Sequence, residues 1–275
     1  MNNPTPTVDD QAVATKHRAM WASGDYPRLA AELVAPLGPV LVAATGVGPG
    51  DRVLDVAAGT GNAAIPAAAA GASVVASDLC PELLAEGSRL AAERGLDLEW
   101  REANAHELPF SDGEFDVVMS CIGVMFAPFH ERAARELARV CKPDGRIGLI
   151  SWTPEGHIGQ LWATMKPYAP PPPPGAQPPP LWGNEEHVRA LLGDRVTDVV
   201  TERRTLAVDH FADGAAFRDY FKAVYGPTIA VYRNIEGDAD RAAELDAAIA
   251  RIGDDYLRGG PTMDWEYLLL TARKA

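Results

Sequence analysis

The feature that most constrains this chain is a short apolar run that leads directly into a glycine-rich turn and then into a helix-forming segment. The apolar run is Val53–Val56, the turn is Ala57–Gly61, and helical composition follows from Asn62. Glycines let the backbone approach a ligand closely, and the first turn of a helix offers unpaired N–H groups. Asp78 ends the next apolar run, where a carboxylate can accept both hydroxyls of a ribose. The sequence therefore predicts a cofactor that contains a nucleoside, bound where neighbouring strands end.

Apolar runs alternate with helix-forming segments from residue 52 to residue 152. This alternation is typical of right-handed βαβ crossovers and a parallel sheet. The expected strands are Arg52–Val56, Ser73–Ser77, Leu96–Arg101, Phe115–Ser120 and Arg146–Trp152. The expected helices are Asn62–Ala70, Pro81–Arg94 and His130–Cys141. We predict an α/β fold with a Rossmann-like, doubly wound, mostly parallel sheet.

The regions on either side of this core differ from it in pattern. Residues 1–50 are predicted to form helices, which we expect to close over the cofactor, and residues 51–152 are the predicted cofactor-binding core. Residues 153–275 are predicted to add a cap and two more strands. The cap comprises 153–194 and 211–258, and the strands, Val196–His210 and Met263–Arg273, form an antiparallel edge. Runs of proline within 170–180 exclude a helix or an inner strand there.

The composition argues against several classes of partner and site. The chain has 25 basic and 38 acidic residues among 275, a formal charge of −13, and no basic cluster, which argues against nucleic acid. Its three cysteines form no CxxC pair and its six histidines show no ligand-like spacing, so we expect no metal site. The first residues lack the pattern of a secretion signal, and no uninterrupted apolar stretch reaches about 20 residues. We therefore expect a cytoplasmic protein without a membrane partner, either a monomer or a homodimer.

The glycine turn is compatible with two kinds of cofactor. Gly59–Ala64 fits the GxGxxG/A pattern of dinucleotide-binding proteins, and Asp78 lies at the expected distance from it. An NAD(P)-dependent oxidoreductase is therefore one interpretation. About 50 residues of helical pattern precede the first strand, however, and none of the seven tyrosines belongs to a Tyr-x-x-x-Lys pair. Both observations argue against an oxidoreductase. A non-catalytic protein that binds the cofactor and regulates other proteins is a further alternative.

The alternative cofactor rests on four segments that occur in order. Val53–Gly61 resembles the first motif of class I S-adenosylmethionine-dependent methyltransferases, and Val74–Leu79 resembles the second. Asn104–Phe110, followed by Phe115–Val118, is similar to the segment DAxxLPF…FDVV of the UbiE-like small-molecule methyltransferases. Arg139–Arg146 resembles their RVLKPGG turn. The resemblance implies S-adenosylmethionine as the cofactor and methyl transfer as the activity.

The same resemblance implies which residues contact the cofactor. The methionine end would lie beside Trp21, Asp55, Ala57, Gly59, Thr60, Gly61, Ser120 and Cys121. The ribose and adenine would lie beside Asp78, Leu79, Asn104 and Ala105. The chain departs from the family pattern twice: Ala57 stands where a glycine is usual, and Asn104 stands where an acidic residue is usual.

The methyl acceptor is predicted from weaker signals. Many aromatic residues beyond residue 150 favour a pocket for a hydrophobic or aromatic small molecule, although aromatic residues are more often part of a core. The chain has no Asn/Asp-Pro-Pro-Tyr motif and no acidic cluster for a metal, which favours an oxygen or carbon acceptor. His157, just past the fifth predicted strand, is the candidate general base if it lies at the rim of the pocket. The alternative is an exposed loop histidine, and Tyr225 is a second candidate.

Overall fold

The computed structural model describes residues 10–257 and 259–275. Within them, seven strands form one sheet: β1 (Arg52–Val56), β2 (Ser73–Asp78), β3 (Glu99–Glu102), β4 (Phe115–Cys121), β5 (Cys141–Trp152), β6 (Val196–Val208) and β7 (Met263–Lys274). The α-helices are α1 (Asp10–Trp21), α2 (Tyr26–Leu29), α3 (Leu37–Thr45), α4 (Ala64–Ala69), α5 (Pro81–Glu93), α6 (His130–Val140), α7 (His157–Met165), α8 (Glu185–Leu192), α9 (Gly214–Val224), α10 (Gly226–Asn234) and α11 (Ala239–Leu257).

The strand order in the sheet is β3-β2-β1-β4-β5-β7-β6. The first five strands in this order pair in parallel, whereas β7 is antiparallel to both of its neighbours. Val53 of β1 lies opposite Val74 of β2 and Val117 of β4, so these strands end close together. The chain order reverses between β1 and β4, which is where open α/β sheets bind ligands. This topology confirms the predicted doubly wound, mostly parallel sheet with an antiparallel edge.

The centre of the sheet is buried on both faces. Val53 and Leu54 of β1 and Val117 and Val118 of β4 are fully buried, which explains why both strands are nearly continuous apolar runs. On one face, α3 packs closely against β5: a Cβ on Gly148 would lie 2.1 Å from a methyl carbon of Thr45. Helix α3 therefore covers part of this face of the sheet.

The second predicted helix is interrupted in the structure. The pattern predicts one helix over Tyr26–Leu41, but α2 ends at Leu29, a π-helical turn covers Ala30–Val34, and α3 begins at Leu37. Pro36 lacks an N–H group, so it cannot continue the hydrogen-bond ladder. Within the described residues, no single helix is long and apolar enough to span a membrane; the segments on either side of this break reach that length only together, across a bend of 69°.

The segment between β5 and β6 is more helical than predicted. Two helices, α7 and α8, flank the proline-rich segment, which itself contains only short 3-10 turns within the described residues. Three further helices, α9 to α11, lie between the last two strands. Buried side chains of the sheet and of this region, such as Leu54, Trp152 and Phe217, belong to the same hydrophobic cluster. The predicted cap therefore shares its core with the sheet.

Candidate active site

A cleft opens at the carboxyl ends of the parallel strands, where open α/β sheets bind ligands. The loops that follow β1, β2, β3 and β4 form one side of the cleft, and α1 and α2 form the other. The lining residues are Val13, Ala14, His17, Trp21, Tyr26, Ala57, Gly59, Asp78, Leu79, Leu83, Ala103, Asn104, Ala105, His106, Gly123, Phe126, Ala127, Pro128 and Phe129. The cleft thus lies at the position that the glycine turn predicts.

The loop after β1 has a backbone conformation that brings it close to the cleft. Gly59 and Gly61 have φ angles of 56° and 85°, in the left-handed region that favours glycine. A Cβ on Gly59 would lie 2.8 Å from Cε1 of Tyr26. Ala57, which replaces the usual glycine, has the same left-handed conformation, with φ 54°. A side chain at residue 59 would therefore overlap the ring of Tyr26, so the loop requires glycine where it lines the cleft.

Asp78 presents a carboxylate to this cleft from the end of β2. Its Oδ2 accepts a hydrogen bond from the N–H of Gly59, and its Oδ1 accepts one from the N–H of Cys80, both at 2.8 Å. Each carboxylate oxygen retains a further lone pair. Burial raises the pKa of Asp78 above its ordinary value, although both backbone hydrogen bonds oppose this change. A buried acceptor held in this way fits the hydroxyls of a ribose.

Asp55 lies beneath the loop rather than in the cleft. Its Oδ2 accepts a hydrogen bond from the N–H of Ala64 at 2.8 Å, and only 1% of the residue is exposed. Its Oδ1 is buried and has no hydrogen-bond partner among the described residues. Burial raises the pKa of Asp55 to about 8. In this geometry Asp55 holds the start of α4 in place under the glycine turn.

Four other residues that the resemblance places beside the cofactor also lie outside the lining. These residues are Thr60, Gly61, Ser120 and Cys121. Ser120 joins the loops after β1 and β4, because its hydroxyl donates to the carbonyl of Val56 at 2.6 Å and accepts from the N–H of Val124 at 2.8 Å. After β4, the residues that reach the cleft are Gly123 and those from Phe126 to Phe129.

The predicted adenine side is mostly apolar. Leu79 and Ala105 line it, together with Leu83 of α5 and Val13 of α1. Asn104 also lines the cleft, and its Oδ1 accepts a hydrogen bond from the N–H of His106 at 3.0 Å. This bond closes an Asx turn, in which the side chain shapes its own loop. The side-chain amide of Asn104 thus shapes its own loop, and this role is compatible with a contact to a ligand in the cleft.

Comparison with known proteins identifies the family. Residues 54–149 match the family described as Methyltransferase domain. Demethylmenaquinone methyltransferase of Thermus thermophilus is 42% identical over 105 residues, which is 38% of this chain and 48% of that protein. The chain belongs to the class I S-adenosylmethionine-dependent methyltransferases. Its cofactor is S-adenosylmethionine. Neither the oxidoreductase interpretation nor the non-catalytic one finds support in these comparisons.

The likeness extends beyond the methyltransferase domain. The uncharacterized protein Rv1405c of Mycobacterium tuberculosis is 54% identical over 274 residues, covering 100% of both chains. Two solved structures share the fold. YcgJ of Bacillus subtilis has a TM-score of 0.56 at 19% identity, covering 86% of this chain and 97% of that one. Geranyl diphosphate methyltransferase, solved with its cofactor, has a TM-score of 0.52 at 18% identity, covering 88% and 85%.

One part of the methyltransferase cleft is aromatic. Trp21 lies at the end of α1, and its ring centroid is 4.7 Å from that of Phe126 and 5.7 Å from that of Tyr26. The family resemblance implies Trp21 at the site but neither Tyr26 nor Phe126. Phe126 belongs to a 3-10 turn after β4 that carries no recognisable motif. Tyr26 begins α2 directly after Gly24 and Asp25, which interrupt the helical pattern of the sequence. This position is the one sequence feature that could have pointed to Tyr26.

The prediction that His157 lies at the pocket rim is wrong, and so is the alternative of an exposed loop. The residue begins α7, is fully buried, and is stacked between Phe217 and Tyr256, with ring centroids at 4.6 and 4.2 Å. Neither ring nitrogen has a partner among the described residues. Burial lowers the pKa of His157 to about 3. Because α9 and α11 cover this residue, it is part of the core of the methyltransferase.

Tyr225 also lies away from the cleft surface. It is 5% exposed, and its hydroxyl oxygen accepts a hydrogen bond from Nε1 of Trp162 at 3.3 Å. Burial raises the pKa of Tyr225 well above its ordinary range. A phenol that keeps its proton cannot serve as the general base of the methyltransferase. In the part of the chain that the structure describes, no group of three or more His, Cys, Asp or Glu side chains could hold a metal ion.

Proposed function

We propose that this enzyme transfers the methyl group of S-adenosylmethionine to an oxygen or carbon atom of a hydrophobic or aromatic small molecule by in-line displacement. The observation that carries the proposal is that the cleft has few charged residues and several aromatic ones. Asp78 is the one acidic or basic residue among its described lining residues, apart from the histidines, and aromatic rings form one part of the lining. A charged acceptor would lose its hydration there without gaining a partner, which is costly.

The residues of the cleft fit the cofactor in complementary ways. Asp78 would hold the ribose hydroxyls, Leu79 and Ala105 would pack against the adenine, and Asn104 would meet its edge. Ala57, Gly59 and Gly123 would pass beside the methionine portion. The face of α1 that carries His17 and Trp21 lies over the cleft, so we infer that this helix closes over the bound cofactor. Asp55 and Ser120 would act through the loops that they hold.

Methyl transfer depends more on the orientation of the acceptor than on an acid or a base. S-adenosylmethionine supplies a methyl group on a sulfonium sulfur, so the electron pair of the acceptor forms the new bond while the S–CH3 bond breaks and its electron pair stays on sulfur. The protein must hold the acceptor in line with that bond, and orientation of this kind lowers barriers by about 7–11 kcal/mol. The closed, mostly apolar cleft also excludes water from the reacting atoms.

An acceptor with a hydroxyl or an acidic C–H must also lose a proton, and we infer that His17 accepts it. Burial holds the pKa of His17 below its ordinary value, so the imidazole is neutral and basic at pH 7. The other histidine of the lining, His106, uses the Nε2 lone pair to accept the N–H of Phe129 at 3.2 Å. The proton of neutral His106 therefore resides on the other nitrogen, which suits it to donation rather than to base catalysis.

The setting of the enzyme is part of the proposal. We place it in the cytoplasm as a monomer or homodimer that acts on a small-molecule acceptor without a nucleic acid or membrane partner. The net charge of −13 supports this view, because it disfavours binding to phosphate backbones.

The first experiment is a thermal-shift titration with S-adenosylmethionine, S-adenosylhomocysteine and NAD. A ligand at 100 times its Kd stabilises by about 2.7 kcal/mol, which is a shift of several degrees for a chain of this size. We expect this shift with both sulfur compounds and not with NAD. Asp78→Asn should weaken it, whereas Asp116→Asn should not, because Asp116 pairs with Lys142 away from the cleft lining. A shift with NAD alone would overturn the cofactor assignment.

The acceptor class is tested separately by release of S-adenosylhomocysteine. A panel of neutral phenols and enolisable diketones is compared with a panel of phosphate- and ammonium-bearing compounds. We expect release with members of the first panel. The same assay over pH 5–9 tests His17, because His17→Gln should remove the rise in rate with pH while leaving the Kd for S-adenosylhomocysteine within threefold. Methylation of charged acceptors alone would contradict the proposal.

A further inference from the structure

The indole of Trp21 is enclosed by three other aromatic rings. Its centroid lies 4.7 Å from Phe126, 5.7 Å from Tyr26 and 5.9 Å from Tyr225, with interplanar angles of 66°, 84° and 71°. Edge-to-face pairs at these distances are favourable for aromatic rings. We call Tyr26, Phe126 and Tyr225 the aromatic box. The box has the size of one planar bicyclic ring, and Trp21 fills it.

A polar group lies at the inner wall of the aromatic box. The hydroxyl oxygen of Tyr225 accepts the N–H of Trp162, and the O–H of Tyr225 donates to no residue that the structure describes. Trp162 also lies against Phe126, with centroids 5.7 Å apart. Trp21, Tyr26 and Phe126 line the cleft, whereas Trp162 and Tyr225 do not. The Trp21 side chain therefore separates the cleft from an unused hydrogen-bond donor.

The backbone next to Trp21 is held more firmly than its side chain. The N–H of Asp25 donates to the carbonyl of Val224 at 2.9 Å. A Cβ on Gly24 would lie 2.3 Å from the same carbonyl oxygen, so the two turns are in close contact. The indole N–H of Trp21, in contrast, has no hydrogen bond to a described residue. The gate proposed below therefore requires the Trp21 side chain to rotate while the Gly24-Asp25 turn stays in place.

We propose that Trp21 is the specificity-determining gate of the acceptor site, and that the acceptor is an uncharged planar aromatic molecule of one or two rings that takes the place of its indole. The inference rests on the proposed function and identifies the substrate class of the same site. Tyr26, Phe126 and Tyr225 would surround the acceptor ring. The Tyr225 hydroxyl would donate a hydrogen bond to an oxygen on the acceptor and so orient the ring towards the cofactor.

Calorimetric titration with 2-naphthol and with naphthalene, in the presence of saturating S-adenosylhomocysteine, tests the gate. Trp21→Ala should bind 2-naphthol at least tenfold more tightly than the wild type, because the ligand no longer has to displace the indole. Adding Tyr225→Phe to this variant should weaken 2-naphthol binding by about 2- to 10-fold, the range of one hydrogen bond. The same addition should leave naphthalene binding unchanged.

A cavity elsewhere provides the control. Trp182→Ala also creates an indole-sized space, at a residue that is 1% exposed and does not line the cleft. Binding there should not discriminate between the two ligands and should not respond to Tyr225→Phe. Trp21→Val serves as a second variant if Trp21→Ala folds poorly. The proposal is overturned if opening residue 21 gives no gain in 2-naphthol binding, or if that binding is indifferent to Tyr225.

These outcomes are separate from those of the proposed function. Binding is measured with the product cofactor and requires no methyl transfer, so an enzyme that methylates no acceptor in the panels could still show the expected binding pattern. Conversely, an enzyme that methylates phenols but does not bind 2-naphthol better after Trp21→Ala would retain the proposed function and lose the gate.

Discussion

Ala57 and Gly123 lie in direct contact between the loops that follow β1 and β4. A Cβ on Gly123 would lie 2.0 Å from the carbonyl oxygen of Ala57 and 2.7 Å from its Cβ. Ala57 and Ile122 both have left-handed backbones, with φ 54° and 66°, which is rare for alanine and rarer for a β-branched residue. Such strain is often concentrated at functional sites. The two loops therefore pack directly against each other where they line the cleft.

Replacing Ala57 with glycine should stabilise the protein. A left-handed conformation costs an L-residue about 1–2 kcal/mol, and the greater flexibility of glycine in the unfolded chain offsets part of that gain. We expect a net increase in the free energy of unfolding of about 0.5–1 kcal/mol, or roughly 1–4 °C in Tm. Ala43→Gly, at an exposed position within α3, should instead cost about 1 kcal/mol. Equal losses in both variants would show that residue 57 is not strained.

Adding a methyl group at Gly123 should disrupt the cleft. Because the new Cβ would overlap the carbonyl of Ala57, the two loops must move apart. We expect Gly123→Ala to weaken binding of S-adenosylhomocysteine by more than tenfold and to lower Tm, as measured by calorimetry and thermal unfolding. Gly48→Ala is the matched control, since a Cβ there meets no atom within 4 Å. Unchanged affinity in Gly123→Ala would show that the contact is not required for cofactor binding.

Asp55 should make the ligand-free protein less stable as the pH rises. Its pKa is about 8 in the folded protein and 3.8 ordinarily, so the folded state binds the proton more tightly than the unfolded chain does. The stabilisation is complete below about pH 4 and is lost as the pH rises towards 8, at up to about 1.4 kcal/mol per pH unit. Asp55→Asn should flatten this dependence in urea unfolding between pH 5 and 9. Parallel pH profiles for variant and wild type would contradict the assignment.

His157 should affect stability in acid and have no role in catalysis. Its folded pKa of about 3 lies below the ordinary 6.5, so the unfolded state binds more protons and stability falls as the pH drops from 6.5 towards 3. His157→Phe keeps a ring between Phe217 and Tyr256 and removes two unpartnered nitrogens. We expect Tm at pH 5 to rise relative to the wild type, with the Kd for S-adenosylhomocysteine unchanged. A loss of methyl transfer in a stable His157→Phe variant would argue for a catalytic role.

The predicted limits of the strands differ in accuracy between the centre of the sheet and the β3 edge. Arg52–Val56 agrees with β1 at both ends, because a strand covered on both faces is a continuous apolar run. The third strand was expected at Leu96–Arg101 but lies at Glu99–Glu102, where most side chains are exposed. At the edge of a sheet, pairing with the neighbouring strand sets the limits of a strand more than its own pattern does. The helix predicted over Tyr26–Leu41 was also wrong in its limits. The π-helical turn that divides it, Ala30–Val34, has no clear sequence signature.

The sequence by itself determined the fold class, the family and the position of the cofactor cleft, because these depend on local patterns. Gly59 reaches the cleft because it follows the buried strand β1, and Asp78 reaches it because it ends the buried strand β2. Only the tertiary structure decided which side chains meet across the molecule. Trp21 lies against Tyr225, and His157 is covered by Tyr256, through contacts between residues about 100 to 200 positions apart. Such contacts depend on how helices pack on the sheet, and no local spacing in the chain specifies them.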